Sequence, residues 1–235
     1  SLLAGRDHGE VVLVSAQPVT TSDGEVVVIH DFDLMRLAGV GRRVHDVTLE
    51  EIRALDVGSW FDPAFADERV PTLREAVEAV RGGARLLVEI KDDGSDPELA
   101  RRVAEVLREA GFLEQCLVMS LELRAVRSFQ QHAPTVPVGL IVGQSLGDLV
   151  REPVDFLAVR AALATPDLVA RAHAAGKQVH AWTVNDRRLA TALVDRGVDN
   201  LISDVPLDMR EVLTELAELE PAERLLLGYH NRHLP

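Results

Sequence analysis

Short runs of β-branched and other apolar residues recur along this chain. Longer stretches separate them, in which apolar residues return every three or four positions. Seven runs read as strands: Val11–Ser15, Leu86–Lys91, Cys116–Ser120, Val138–Val142, Asp155–Val159, Val179–Val184 and Asn200–Asp204. They are near-continuously apolar rather than alternating, the pattern of parallel strands covered on both faces. The helices between them have readable ends. Pro71-Thr72-Leu73-Arg74-Glu75 opens one that stops at Gly82-Gly83, and Ser95-Asp96-Pro97-Glu98 opens another that stops near Gly111. Thr165-Pro166-Asp167 and Asn185-Asp186 open two more, which end at Gly176 and Gly197. Strand, helix and strand in alternation predict an α/β fold with a parallel sheet.

One segment departs from that rhythm. Asp23-Gly24 joins the first extended stretch to Val26–His30, a spacing too short for a parallel crossover and suited to a hairpin. Glu25–His30 therefore reads as an antiparallel excursion from the main sheet. Residues 32–70 read as a long loop with a short helix near Leu49–Leu55, and loops of that length commonly carry function. Without a composition break, residues 1–210 read as one domain, and 211–235 as a C-terminal helix and tail. The His230-x-x-His233 spacing in that tail resembles a metal pair, but at a frayed chain end it reads as solvated.

Charge and composition narrow the function. Twenty-five Lys and Arg stand against 38 Asp and Glu, a net charge of −13, which disfavours nucleic acid and anionic membrane surfaces as partners. The single cysteine, Cys116, lies in an apolar run and reads as a buried thiol with no disulfide partner in the chain. No stretch is apolar for eighteen residues, so nothing reads as membrane-spanning and a soluble domain is expected. The chain begins at Ser1 rather than methionine, which points to a processed, trimmed or partial product.

The stretch Ser22-Asp23-Gly24-Glu25-Val26-Val27-Val28-Ile29-His30-Asp31, followed by Leu34-Met35-Arg36, resembles the T-x-D-G … V-V-x-H-D-x-x-L-x-R signature of glycerophosphodiester phosphodiesterases. The likeness continues in family order through Val70–Leu73, Val88–Lys91, Met119-Ser120, Ala181–Asn185 and Gly197–Pro206. Asp56–Phe61 and Ala162–Pro166 look most like bacterial members whose catalytic domain follows a membrane domain. The resemblance implies a TIM barrel, here incomplete, with about seven of eight parallel strands and the hairpin excursion ending at His30. The family's first strand, with its His-Arg-Gly motif, is absent, and Leu2–Asp7 resemble the tail of the helix that follows it. His8-Gly9 lies too close to Val11 to be the first catalytic histidine. An incomplete barrel would leave an open seam, an edge through which the chain could dimerise. The resemblance also implies a cytoplasmic, membrane-associated setting through an upstream region.

Hydrolysing an anionic phosphodiester calls for a cation to offset its charge and groups to move protons. The resemblance implies that His30 is a catalytic general acid, Glu89 a ligand for Ca²⁺ or Mg²⁺, Lys91 a catalytic cation for the phosphoryl group, and Trp182 a stacking platform for glycerol. Glu89 and Lys91 would share one strand face, since side chains alternate. The family's Glu-x-Asp pair of metal ligands falls on Ser15 and Gln17, neither of which is anionic. One carboxylate rarely holds such a cation alone, so the metal is expected from the family yet not bound here. Ser120 has no evident partners for a serine-hydrolase triad. Two functions follow: metal-dependent hydrolysis of a glycerophosphodiester to an alcohol and glycerol 3-phosphate at an impaired site, or an inactive barrel that binds a ligand or regulates an attached domain. A partial chain of an active parent is a third reading.

Overall fold

The computed structural model describes residues 2–4, 10–91, 93–144 and 148–219. Its strands are β1 (Leu2–Ala4), β2 (Glu10–Ala16), β3 (Pro18–Thr20), β4 (Val26–Val28), β5 (Asp33–Leu34), β6 (Val40–Arg43), β7 (Arg85–Glu89), β8 (Cys116–Ser120), β9 (Val138–Val142), β10 (Phe156–Arg160), β11 (Gln178–Trp182) and β12 (Asn200–Leu201). The helices are α1 (Met35–Ala38), α2 (Leu49–Arg53), α3 (Leu73–Val80), α4 (Leu99–Glu109), α5 (Leu123–His132), α6 (Pro166–Ala174), α7 (Arg187–Asp195) and α8 (Pro206–Glu218). All seven predicted strands are present. The chain divides into two compact units, residues 14–137 and the described residues on either side of that span. His8, Gly9, His230 and His233 lie outside the described residues. No described helix is long and apolar enough to cross a membrane.

In the unit of residues 14–137, β7 and β8 pair in parallel, with Leu87 opposite Leu117 and Glu89 opposite Met119. Leu86, Leu87 and Val88 are buried, as are all five residues of β8, which accounts for their unbroken apolar sequence. Cys116 is among them, and burial pushes its thiol up to about 12, so it is a packing residue rather than a nucleophile. The helix α4 buries Leu99, Ala100, Val103, Ala104 and Leu107, a stripe at helical spacing, and packs against α5. It starts later than predicted. Pro97 lies in the turn before it, Asp96 accepts a hydrogen bond from the Glu98 amide at 2.8 Å, and no side chain caps the helix.

The predicted hairpin is formed. β3 and β4 are antiparallel, with Pro18 opposite Val28 and Thr20 opposite Val26, around a turn at Asp23-Gly24. Residues 32–70, predicted as mostly loop, contain the β5–β6 pair, α1 and the capped helix α2. The reason is a satellite core beneath the hairpin. Val19, Val27, Ile29, Leu34, Val44, Val47, Ile52 and Val70 are buried together, so the segment folds onto its own apolar surface.

In the other unit, β9, β10, β11 and β12 pair in parallel in that order. Gly139 lets β9 approach the Phe156 ring, where an added Cβ would come within 2.1 Å of it. Thr165 and Asp186 cap α6 and α7 as predicted, accepting from the amides of Leu168 at 3.2 Å and Leu189 at 2.8 Å. Leu2–Ala4 are not the end of a helix. They form β1, antiparallel to both β2 and β12, with Leu2 opposite Val12 and Leu201. A strand there satisfies backbone groups on both sides. The expected open seam between β2 and β12 is therefore filled, and with it goes the edge a dimer was expected to use.

Candidate functional site

The chemistry-bearing residues of the hairpin and of the β7 end meet within the unit of residues 14–137. At the hairpin entrance the Ile29 amide donates to the Gln17 carbonyl at 3.0 Å, which sets Gln17 beside the segment leading into His30. Two side-chain bonds then join that segment to the end of β7. The Gln17 Nε2 donates to Glu89 Oε2 at 2.7 Å, and the Lys91 Nζ donates to the His30 backbone carbonyl at 2.8 Å. Glu89 and Lys91 thus both reach the hairpin side, as strand alternation requires of residues two apart.

The β7 end is itself held. The Ile90 amide donates to Met119 O at 2.8 Å, and the Ser120 hydroxyl, buried, donates to Ile90 O at 2.7 Å. Ser120 is a brace for the strand carrying Glu89, not a nucleophile. Beyond Lys91, Arg43 forms an ion pair with Asp93, tying the loop to β6. Burial raises the Asp93 carboxyl most strongly, yet hydrogen bonds from Ser95 and then the charges of Arg43 and His45 together hold it below its usual value.

His30 is two-thirds exposed, at 66%, and its Nδ1 lies 2.6 Å from Asp31 Oδ1. A carboxylate only accepts, so Nδ1 carries the proton and Nε2 is the ring nitrogen left for a ligand. The other Asp31 oxygen accepts from Arg36 Nε at 2.6 Å. The Arg36 guanidinium, and then His30, keep the Asp31 carboxyl below its ordinary range. Asp31 and Arg36 hold the His30 ring in place, a contact that sequence reasoning left unassigned. The signal for them is their place in the same block, one and six residues after His30.

Trp182 belongs to the other unit, where it is half-buried and its Nε1 donates to Ala158 O at 2.8 Å. In that unit Asp204 accepts from Asn185 Nδ2 at 2.9 Å, while the Asn185 Oδ1 accepts from the Ser203 hydroxyl at 3.1 Å.

Among the described residues the donor set does not fit the divalent metal that the resemblance implies. Among the described residues no three His, Cys, Asp or Glu side chains gather as ligands. Ser15, two residues before Gln17, is exposed and offers only a hydroxyl. Next to Glu89 stands a neutral amide, which brings no second negative charge to offset a cation.

Residues 19–208 match the glycerophosphoryl diester phosphodiesterase family. A glycerophosphodiester phosphodiesterase of Caldanaerobacter subterraneus subsp. tengcongensis is 31% identical over 193 residues, covering 79% of each chain. One from Bacillus subtilis strain 168 is 26% identical over 210 residues, 79% of this chain and 71% of its own. Among solved structures, an Oleispira antarctica phosphodiesterase in complex with the product sn-glycerol-3-phosphate superposes with a TM-score of 0.80 at 27% identity, over 86% of this chain and 85% of that one. The fold class is accordingly the α/β TIM barrel of the phosphodiesterase type, incomplete in its parallel strands. Strand order, hairpin and sequence blocks agree with a match that runs nearly the whole length: the chain belongs to the glycerophosphoryl diester phosphodiesterase family.

Proposed function

We propose that this chain binds a glycerophosphodiester at the His30–Lys91 end of β7, and that its hydrolysis to an alcohol and glycerol 3-phosphate is impaired. The observation that carries this reading is the 2.7 Å bond from Gln17 Nε2 to Glu89, which engages the one anionic group of the expected ligand set with an amide donor. Lys91 gives one of its three N–H donors to the His30 carbonyl, and its charge is placed to meet a phosphoryl oxygen. When the P–O bond to the alcohol breaks, the leaving oxygen takes a proton. A protonated His30, its Nδ1 held by Asp31, can give one from Nε2. Activation of the attacking water is the weak step, because the carboxylates expected at positions 15 and 17 are replaced. The same bond favours a second reading, a barrel that binds its ligand without turnover.

The test is calorimetric binding of glycerophosphocholine alongside a coupled assay for glycerol 3-phosphate. Wild type binds with little or no turnover, Lys91→Ala weakens binding about ten-fold or more, and His30→Ala removes any residual turnover while leaving binding within a few-fold. No binding by wild type, or binding indifferent to Lys91, contradicts the proposal. Turnover separates the first reading from the second.

A further inference from the structure

Residues 56–69 place an aromatic cluster next to the His30 site. In a chain with six Phe, two Trp and one Tyr, three aromatic residues sit on this segment and all are exposed: Trp60 by 51%, Phe61 by 72% and Phe65 by 45%. Their rings contact one another in sequence, each pair 5.8 Å apart between centroids, and Met35 is exposed in the same unit. Exposed apolar surface gathered in this way marks a binding surface more often than isolated exposed residues do.

The cluster is held in shape before anything binds. Asp56 accepts from the amides of Gly58 and Ser59, both at 3.0 Å, and from the Ser59 hydroxyl; these bonds bring its carboxyl down to about 2. Trp60 Nε1 donates to Val57 O at 2.8 Å. Gly58 lies against the Phe65 carbonyl so closely that a Cβ there would come within 1.9 Å of it. An ordered, solvent-facing aromatic surface has already met the entropy cost of ordering that a ligand would otherwise impose.

Arg36 connects this surface to the site. Its guanidinium lies 5.0 Å from the Trp60 ring centroid, and its Nε holds the Asp31 carboxylate that holds His30. Apolar surface and phosphodiester-binding groups therefore adjoin across one side chain. We propose that the Trp60–Phe61–Phe65 surface takes the apolar chain of a monoacyl glycerophosphodiester, whose phosphodiester lies at His30 and Lys91. This rests on the glycerophosphodiester reading above and narrows its substrate class to single-chain amphiphiles. The occupant is one chain rather than an anionic bilayer, because the same segment carries Asp56, Asp62, Asp67 and Glu68 against Arg69.

The experiment compares calorimetric binding of glycerophosphocholine with that of decanoyl-glycerophosphocholine below its micelle concentration, with phosphatidylcholine vesicles as a third probe. Wild type binds the decanoyl ligand at least about ten-fold more tightly than the chainless one. Phe61→Ser combined with Phe65→Ser removes that gain and leaves glycerophosphocholine affinity and thermal midpoint unchanged. Trp60→Ser acts in the same direction. Equal affinities in wild type, a gain that survives the double substitution, or aromatic dependence confined to vesicles overturns the proposal. If Lys91→Ala leaves both ligands unaffected while the aromatic substitutions still remove the gain, the phosphodiester site is misplaced and the chain surface stands.

Discussion

Beside a half-buried carboxylate, one atom decides what can bind. An amide NH₂ donates and satisfies the oxygen; a second carboxylate would repel it and call for a cation. Gln17 is the first kind of neighbour for Glu89. Gln17→Ala is expected to destabilise the chain by about 1.5–3 kcal/mol, the range for losing a hydrogen bond to a charged group. A urea titration checks it, and an unchanged midpoint would mean the bond contributes nothing. That Ser15 and Gln17 stand where the resembled family has two acids follows once the motif is aligned from Thr21-Ser22-Asp23-Gly24. That Gln17 turns its nitrogen onto Glu89 is not, because the partners are 72 residues apart and only the fold sets them in contact. Asp31 and Arg36 were within reach of sequence reasoning, since both lie in the quoted block, but a motif gives no account of which carboxylate oxygen takes which donor.

Helix ends and turns, whose causes are local, read well from sequence. Thr72 accepts from the Glu75 amide at 3.2 Å while Glu75 accepts from the Thr72 amide at 2.8 Å, the reciprocal cap that Pro71-Thr72-Leu73-Arg74-Glu75 announces. The same residue bridges to Val27 of the hairpin, and the Val28 amide donates to Pro71 O at 2.8 Å. The start of α3 thus also positions the strand that leads to His30. Thr72→Ala is expected to cost about 1 kcal/mol or somewhat more and to weaken glycerophosphocholine binding with it. Loss of stability with full ligand affinity would separate the cap from the site. Elements whose causes are distant read poorly. Leu2–Ala4 became a strand because two other strands offered partners, and residues 32–70 gained structure from a core contributed by the hairpin.

Over the molecule as a whole, seven apolar runs were enough to give the strands, since burial on both faces leaves its mark in composition. One exception within such a run carries a consequence. His180, in β11, is fully buried, stacked on Phe156 at 4.3 Å, and burial lowers its pKa from 6.5 to about 3. Below pH 6.5 the unfolded chain takes up a proton that the folded chain refuses, so stability falls as pH drops from 6.5 toward about 3. The paired carboxyls Asp31 and Glu75 add their own losses only below their ordinary values of 3.8 and 4.5. Between pH 6.5 and 5 the expected slope from His180 is at most about 1.4 kcal/mol per pH unit. Urea unfolding across that interval is expected to lose this slope in His180→Gln; an identical slope in the variant would assign it elsewhere.

The central claim is that the site is built around an amide where a metal-ligand carboxylate would stand. Restoring both acids, Ser15→Glu with Gln17→Asp, tests it most directly through glycerol 3-phosphate release from glycerophosphocholine in Ca²⁺ or Mg²⁺, with and without chelator. The account predicts a rise of about 10²-fold or more that chelator abolishes in the variant, against wild-type release that is low and indifferent to chelator. Chelator-sensitive release by the wild type, equal to or faster than that of the variant, would contradict it.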